Sequence, residues 1–154
     1  GLAPAERDAI VRAVARPMWG ALAAFALATV FGALLLGRWW ESLLRREPGA
    51  FGREYQQLRL GVVLGVAVTV LFVLAMATDV ALISWLTWIA FMALTFQGLA
   101  AAHRSRAGGR LGRGWLAAIY VLLIAPLSNV VTMFVLASWG FADNWLRPRR
   151  SASL

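Results

Sequence analysis

From Leu60 to Ala102 the chain runs for forty-three residues with Asp79 as its only charged side chain. A single helix of that length, rising about 1.5 Å per residue, would reach roughly 65 Å, about twice the hydrocarbon thickness of a bilayer. The stretch must therefore double back. Thr78-Asp79 is the polar break where it can do so, and a carboxylate at that point can cap the first turn of a new helix. Two lipid-embedded helices, 60–77 and 80–102, are expected to form a tight hairpin. Composition asks for the same solvent: 61% of the residues are hydrophobic and the mean hydropathy is +0.72, against about 45–50% apolar in soluble domains.

Two further stretches carry no charge. Met18 to Gly37 is twenty residues, enough to cross the hydrocarbon. Trp115 to Ala142 is twenty-eight, long enough that a tilt or a break is expected. Pro126 supplies the break, since it removes one helical hydrogen bond and frees the Leu122 carbonyl. The resulting fold class is an all-α integral membrane protein. About four transmembrane helices, 18–37, 60–77, 80–102 and 115–142 with a break near Pro126, make one domain over residues 1–154. Because the first residue is Gly1, either a tag has been removed or an N-terminal part is missing, and the second is the expectation.

The remaining segments read as interfacial amphipathic helices. Pro4–Arg16 sets Ile10, Val11 and Val14 against Glu6, Arg7, Asp8, Arg12 and Arg16, one apolar stripe at helical spacing. Pro17 is then expected at the first turn of the next span, where its missing N–H costs nothing. In Arg38–Arg59, Trp39, Trp40, Leu43 and Leu44 share one face and Glu41 pairs with Arg45 at i,i+4. After a Pro48-Gly49 turn, Phe51, Tyr55 and Leu58 repeat at helical spacing. Trp19, Trp39, Trp40, Trp115, Trp139 and Trp145 fall at span borders, as an aromatic belt does.

Burying apolar surface drives little association in lipid, so close approach between small residues matters. Gly20, Ala24, Ala28 and Gly32 make one such face, and Gly61, Gly65 and Thr69 make a second, its natural partner. A candidate polar or ligand patch combines Gln97, Ser128, Asn129 and Thr132 with Trp85 and Trp88, which lie deeper than tryptophan usually does. Broken helices at mid-membrane often build substrate sites, and packing or an interhelical bond explains the same residues without a ligand.

All fifteen basic residues are arginine against seven carboxylates. They sit beside the apolar spans, so anionic lipid headgroups are the expected contact of Arg38, Arg45, Arg46, Arg104, Arg106, Arg110 and Arg113, and nucleic acid is not. Placing the two internal basic loops in the cytoplasm puts nine arginines there (Arg38, Arg45, Arg46, Arg53, Arg59, Arg104, Arg106, Arg110, Arg113). The other six (Arg7, Arg12, Arg16, Arg147, Arg149, Arg150) lie opposite. No catalytic residue, metal ligand set or cofactor is expected. The chain has no cysteine, His103 stands alone at a span end in a basic cluster, and Ser128 has no evident base.

Leu36-Gly37-Arg38-Trp39-Trp40, Pro48-Gly49-Ala50-Phe51-Gly52-Arg53-Glu54-Tyr55, Leu58-Arg59-Leu60 and the ending Gly140-Phe141-Ala142-Asp143-Asn144-Trp145 resemble the YybS-like family of bacterial membrane proteins, whose function is unknown. The resemblance implies a match to the C-terminal half of a typical member. It also implies distant similarity to the substrate-binding subunits of energy-coupling-factor transporters. Two functions are thus expected in competition. The first is a non-catalytic accessory or assembly subunit, touching other membrane-protein subunits in a bacterial inner membrane. The alternative is a small-solute-binding transport subunit.

Overall fold

The computed structural model describes residues 3–47, 49–58, 60–110 and 112–146. Pro48 of the expected turn, Arg59, and the tail arginines Arg147, Arg149 and Arg150 lie outside the described residues, as do the side chains of Arg16 and Arg113. The described chain is helical throughout, with α1 (Pro4–Leu44), α2 (Ala50–Gln56), α3 (Gly61–Ala77), α4 (Ala81–Ala107), α5 (Arg113–Ile124) and α6 (Asn129–Leu146), and no strand among those residues. By length and composition, α1 and α4 are each able to cross a membrane; the pair α2 and α3, bent by 55°, is a third candidate if taken as one span.

The hairpin at residue 79 is present. α3 ends at Ala77 and α4 begins at Ala81. The capping residue, however, is Val80 and no side chain caps α4. The Val80 carbonyl accepts the Ile83 and Ser84 amides at 3.1 and 3.2 Å, so backbone groups close the first turn of α4.

Three sequence expectations are corrected. First, α1 is one helix of 41 residues with Pro17 inside it, where a separate interfacial segment and a new helix start were expected. Just past the proline, Gly20 lies against Trp85 and Trp88, whereas Ala9, Arg12, Ala13 and Trp19 only line an open recess with Ala81 and Trp85. The helix runs through despite the bond that proline forfeits. The Trp39–Leu44 segment likewise continues α1, leaving α2 as the only separate amphipathic helix of that pair.

Second, 115–142 is not one broken span. The helix stops at Ile124, turns through Ala125–Ser128 and restarts at Asn129. In a continuous helix Leu116 and Leu136 would stand roughly 30 Å apart. Here both belong to one buried cluster with Ala102 and Ile119, so α5 folds back on α6. The freed Leu122 carbonyl is taken up as the sequence implied: the Ser128 hydroxyl donates to it at 2.9 Å.

Third, the two small-residue faces do not meet, for α1 and α3 make no contact. Gly20 lies against Trp85 and Trp88; a Cβ there would sit 2.8 Å from the Trp85 Cα. Ala24 is buried, Ala28 is half-buried, and Gly32 has open space around it. Gly65 presses instead on Asn144 of α6. α4 is the element that every other helix touches, because its glycine and alanine positions admit neighbours on several sides.

Candidate functional site

The centre of the molecule is the crossing of α4 and α6. A Cβ built on Gly98 would overlap the Leu136 carbonyl oxygen, and one built on Gly140 would overlap the Leu94 carbonyl and lie 2.7 Å from the Gly98 nitrogen. The two backbones are in direct contact, which only glycine allows at both positions. Sequence inspection missed this pair, although Gly98, Ala101, Ala102 and Ser105 form a small-residue face of α4 that could have signalled one half of it. Nothing local joins that face to Gly140, forty-two residues on from Gly98.

Polar groups surround the crossing and are used up by it. Gln97 is fully buried; its Nε2 donates to the Gly140 carbonyl at 2.9 Å and its Oε1 accepts the Leu60 amide at 3.1 Å. One side chain thus joins α4, α6 and the entry of α3. Asn144 donates from Nδ2 to the Gly61 carbonyl at 3.1 Å, while its Oδ1 is buried without a partner. Gly61 has φ +81°, a conformation that tolerates glycine and strains other residues.

The six threonines of the chain, Thr29, Thr69, Thr78, Thr87, Thr95 and Thr132, each donate to the carbonyl four residues back. This intrahelical bond lets a hydroxyl sit in apolar surroundings without water. Thr132 is therefore satisfied within its own turn. Ser128, Asn129 and Thr132 cluster at the α5–α6 break, whereas Trp85 and Trp88 pack on α1 and Gln97 sits at the crossing. The expected patch is three separate places.

The end of the bundle where α1, α4 and α6 finish carries the charge. Arg104 pairs with Asp143 of α6, both side chains under one-fifth exposed, and donates to the Gln56 carbonyl at 2.7 Å. Arg104 was expected to meet lipid; the structure gives it an internal task, tying α2, α4 and α6. Arg38 donates through Nη2 to both Glu54 oxygens at 2.9 Å and through Nη1 to Glu41 at 2.6 Å, and Arg45 pairs with Glu41 at 2.7 Å. Arg38 thus clamps α2 to α1 through Glu54, Arg45 braces Glu41 within α1, and both are partly neutralised. Arg46, Arg106 and Arg110 are exposed. His103 bonds the Tyr120 hydroxyl at 3.0 Å and packs edge-on to Tyr55 with ring centroids 5.5 Å apart, which makes it a structural link between α2, α4 and α5.

Hydrogen bonding and the charge of Arg38, with the charge of Arg45, hold the Glu41 carboxyl below its ordinary value of 4.5. A carboxyl depressed in the folded state contributes stability above its unfolded value and loses that contribution as pH falls through the folded one. Labels on Leu43 and Gly52 should report a widening α1–α2 gap on acidification below about pH 4, and Glu41→Gln should show the wider gap at neutral pH. A gap that ignores both would remove Glu41 from the clamp.

An apolar groove opens between α3, α4 and α6. Phe72 and Met76 of α3, Phe91 of α4, and Phe134 and Phe141 of α6 line a 430 Å³ recess with Thr69 and Ser138 as its hydroxyls. Among the described residues no cluster of metal-ligating side chains occurs. Known families, curated proteins and solved structures yield no match to this chain.

Removing the Gln97 side chain orphans two backbone groups at once. Each buried group left unpaired costs about 1–3 kcal/mol, although interhelical bonds in membranes average nearer 0.6 kcal/mol. Gln97→Leu is therefore expected to destabilise by about 2 kcal/mol, read as a lower unfolding temperature in detergent. An unchanged midpoint would mean that neither partner depends on Gln97.

Proposed function

We propose that this chain is a non-catalytic, multi-pass subunit of a larger complex in a bacterial inner membrane. In this reading α1, α3 and α4 cross the bilayer, and α5–α6 enters and leaves on one side as a re-entrant hairpin. The observation that carries the proposal is the exposed tip of that hairpin. α5 has 12 residues, about 18 Å, too short for a hydrocarbon core of about 30 Å. At its end the Leu123 and Ile124 carbonyls accept no bond from the turn, and Leu127 is 99% exposed. Irregular backbone at membrane depth is tolerated where protein covers it or water lines it. Another subunit is the cover this chain does not itself supply.

The spent polar groups favour the same reading over solute binding, since Gln97, Thr132 and His103 already serve contacts between or within helices. Orientation follows from the arginines. The Arg104–Asp143 pair brings the end of α6 to the end of α4. Described Arg38, Arg45, Arg46, Arg53, Arg104, Arg106 and Arg110 gather at that end, with Arg7 and Arg12 at the other. That end is cytoplasmic by the bias of positive charge. A small-solute-binding subunit, the function implied by the energy-coupling-factor resemblance, would use the phenylalanine-lined groove.

Because the chain contains no cysteine, Leu127→Cys installs a unique thiol. In native membranes it is expected to resist water-soluble maleimide and to cross-link at fixed stoichiometry to one other membrane subunit. Ready labelling by the maleimide, with a monomer in mild detergent that a small aromatic solute stabilises, would favour the transport reading instead.

A further inference from the structure

We propose that the cavity between the C-terminal ends of α4 and α6 is a built site for the phosphate of an anionic phospholipid headgroup. The proposal rests on the membrane reading above and replaces a diffuse cationic surface with one defined place. The cavity, of 560 Å³, is lined by Ala101, Arg104, Ser105 and Arg110, with Asp143 and Leu146 on the α6 side.

Ala101, Arg104 and Ser105 stand at i, i+3 and i+4 and so present one face of α4. The chain then reverses at Gly109, with φ +73°, and the Arg110 amide bonds back to the Ser105 carbonyl at 2.9 Å. That reversal returns a second guanidinium to the face that already holds Arg104. The two cations differ in state. Arg104 is fixed by Asp143 and the Gln56 carbonyl, which leaves part of its five-donor fork unspent. Arg110 is exposed and makes no ion pair among the described residues. One carboxylate already engaged by Arg104 therefore faces two guanidiniums and a serine hydroxyl, a net positive pocket with planar donors suited to phosphate oxygens.

Hydrocarbon belongs beside that phosphate. Leu146 at its rim is 81% exposed, at the level where the apolar lengths of α4 and α6 end. A free phosphate would leave that side chain in water; a lipid headgroup places its acyl chains along it. With Asp143 committed to Arg104, no acidic group is left to receive the cationic end of a zwitterionic headgroup, so an anionic lipid is favoured.

The full chain is reconstituted in phosphatidylcholine vesicles, and phosphatidylglycerol is titrated in while the unfolding midpoint and the number of tightly bound lipids are followed. The midpoint should rise and saturate at one phosphatidylglycerol per chain. Arg110→Gln should weaken the apparent affinity about tenfold, the worth of roughly one charge-assisted contact, and Ser105→Ala should weaken it less. Arg106→Gln removes the same charge one residue away from Ser105 but outside the cavity, and should leave the affinity nearly unchanged. Equal losses from Arg110→Gln and Arg106→Gln, or a response that never saturates, would overturn the site in favour of unspecific charge attraction. Full displacement of the lipid effect by inorganic phosphate would overturn the lipid assignment. A chain that does not stay in phosphatidylcholine vesicles at all would instead sink the membrane reading on which the proposal stands.

Discussion

Gly98→Ala and Gly140→Ala are each expected to part α4 from α6. At both positions the new methyl would occupy the space of a backbone carbonyl on the other helix, Leu136 for the first and Leu94 for the second. A flexible side chain could turn away; a main chain held by its own helical bonds cannot. Overpacking in a well-filled core costs about 1–3 kcal/mol and occasionally more, and the absence of a movable neighbour puts these substitutions at or above the upper end. An alanine elsewhere in a helix would gain nearly 1 kcal/mol over glycine, so the sign is decided by contact rather than propensity. Thermal unfolding in detergent should show a midpoint lower by roughly 10 °C. Gly32→Ala is the matched control, since nothing lies within 4 Å of its Cβ position, and it should hold or slightly raise the midpoint. Comparable losses at Gly32 and Gly98 would mean that the crossing is looser than described.

The second large effect is expected at the Arg104–Asp143 pair. Both side chains are mostly buried, 17% and 18% exposed, and Arg104 also secures the chain after α2 through the Gln56 carbonyl. Deleting one member of a buried pair leaves an uncompensated charge and costs about 3–5 kcal/mol. Partial access to water brings the expectation for Asp143→Ala to about 3 kcal/mol. Arg104→Ala should cost at least as much, because it removes a guanidinium that joins three helices. The double substitution should be less damaging than the sum of the two, the coupling expected of neighbours that share one contact. Strict additivity in that cycle, with singles costing under about 0.5 kcal/mol, would reduce the pair to an exposed ion pair of little weight.

Much of the helix inventory was readable beforehand. Uncharged runs mark α3, α4 and the middle of α1. The turn near Asp79 follows from an apolar run of forty-three residues, too long for one bilayer and broken only at that charged residue; α1, of 41 residues, stays one helix because its ends carry charge. Pro126 announced a break and even which carbonyl would need a new donor. Its angle was not readable: proline removes the same bond whether a helix kinks or reverses. The reversal is decided by Leu116, Ile119 and Leu136 finding one another and Ala102. Pro17 shows the converse. The residue looked like a boundary, yet the helix runs through it and meets Trp85 and Trp88 at Gly20, just beyond.

Site residues divide in the same way. Gln97 stood out because hydrocarbon offers it no water, and an interhelical bond was one of its two expected uses. The partners were invisible, as the Leu60 amide and Gly140 carbonyl carry no side-chain signal. Arg104 looked like every other arginine beside a span until Asp143, thirty-nine residues later, arrived next to it.

What the amino-acid order determined is solvent and element: which stretches avoid charge, where they must turn, and which groups cannot stay unpaired in an apolar medium. Those are local properties of length, hydropathy and hydrogen-bonding capacity. Tertiary structure alone decided which small residues face which helix, the fold-back of α5 on α6, and which arginines are spent inside and which remain free. Apolar faces of near-equal hydropathy offer little to choose between, so the choice falls to backbone approach at glycine and to single polar contacts, and these exist only once distant segments have met.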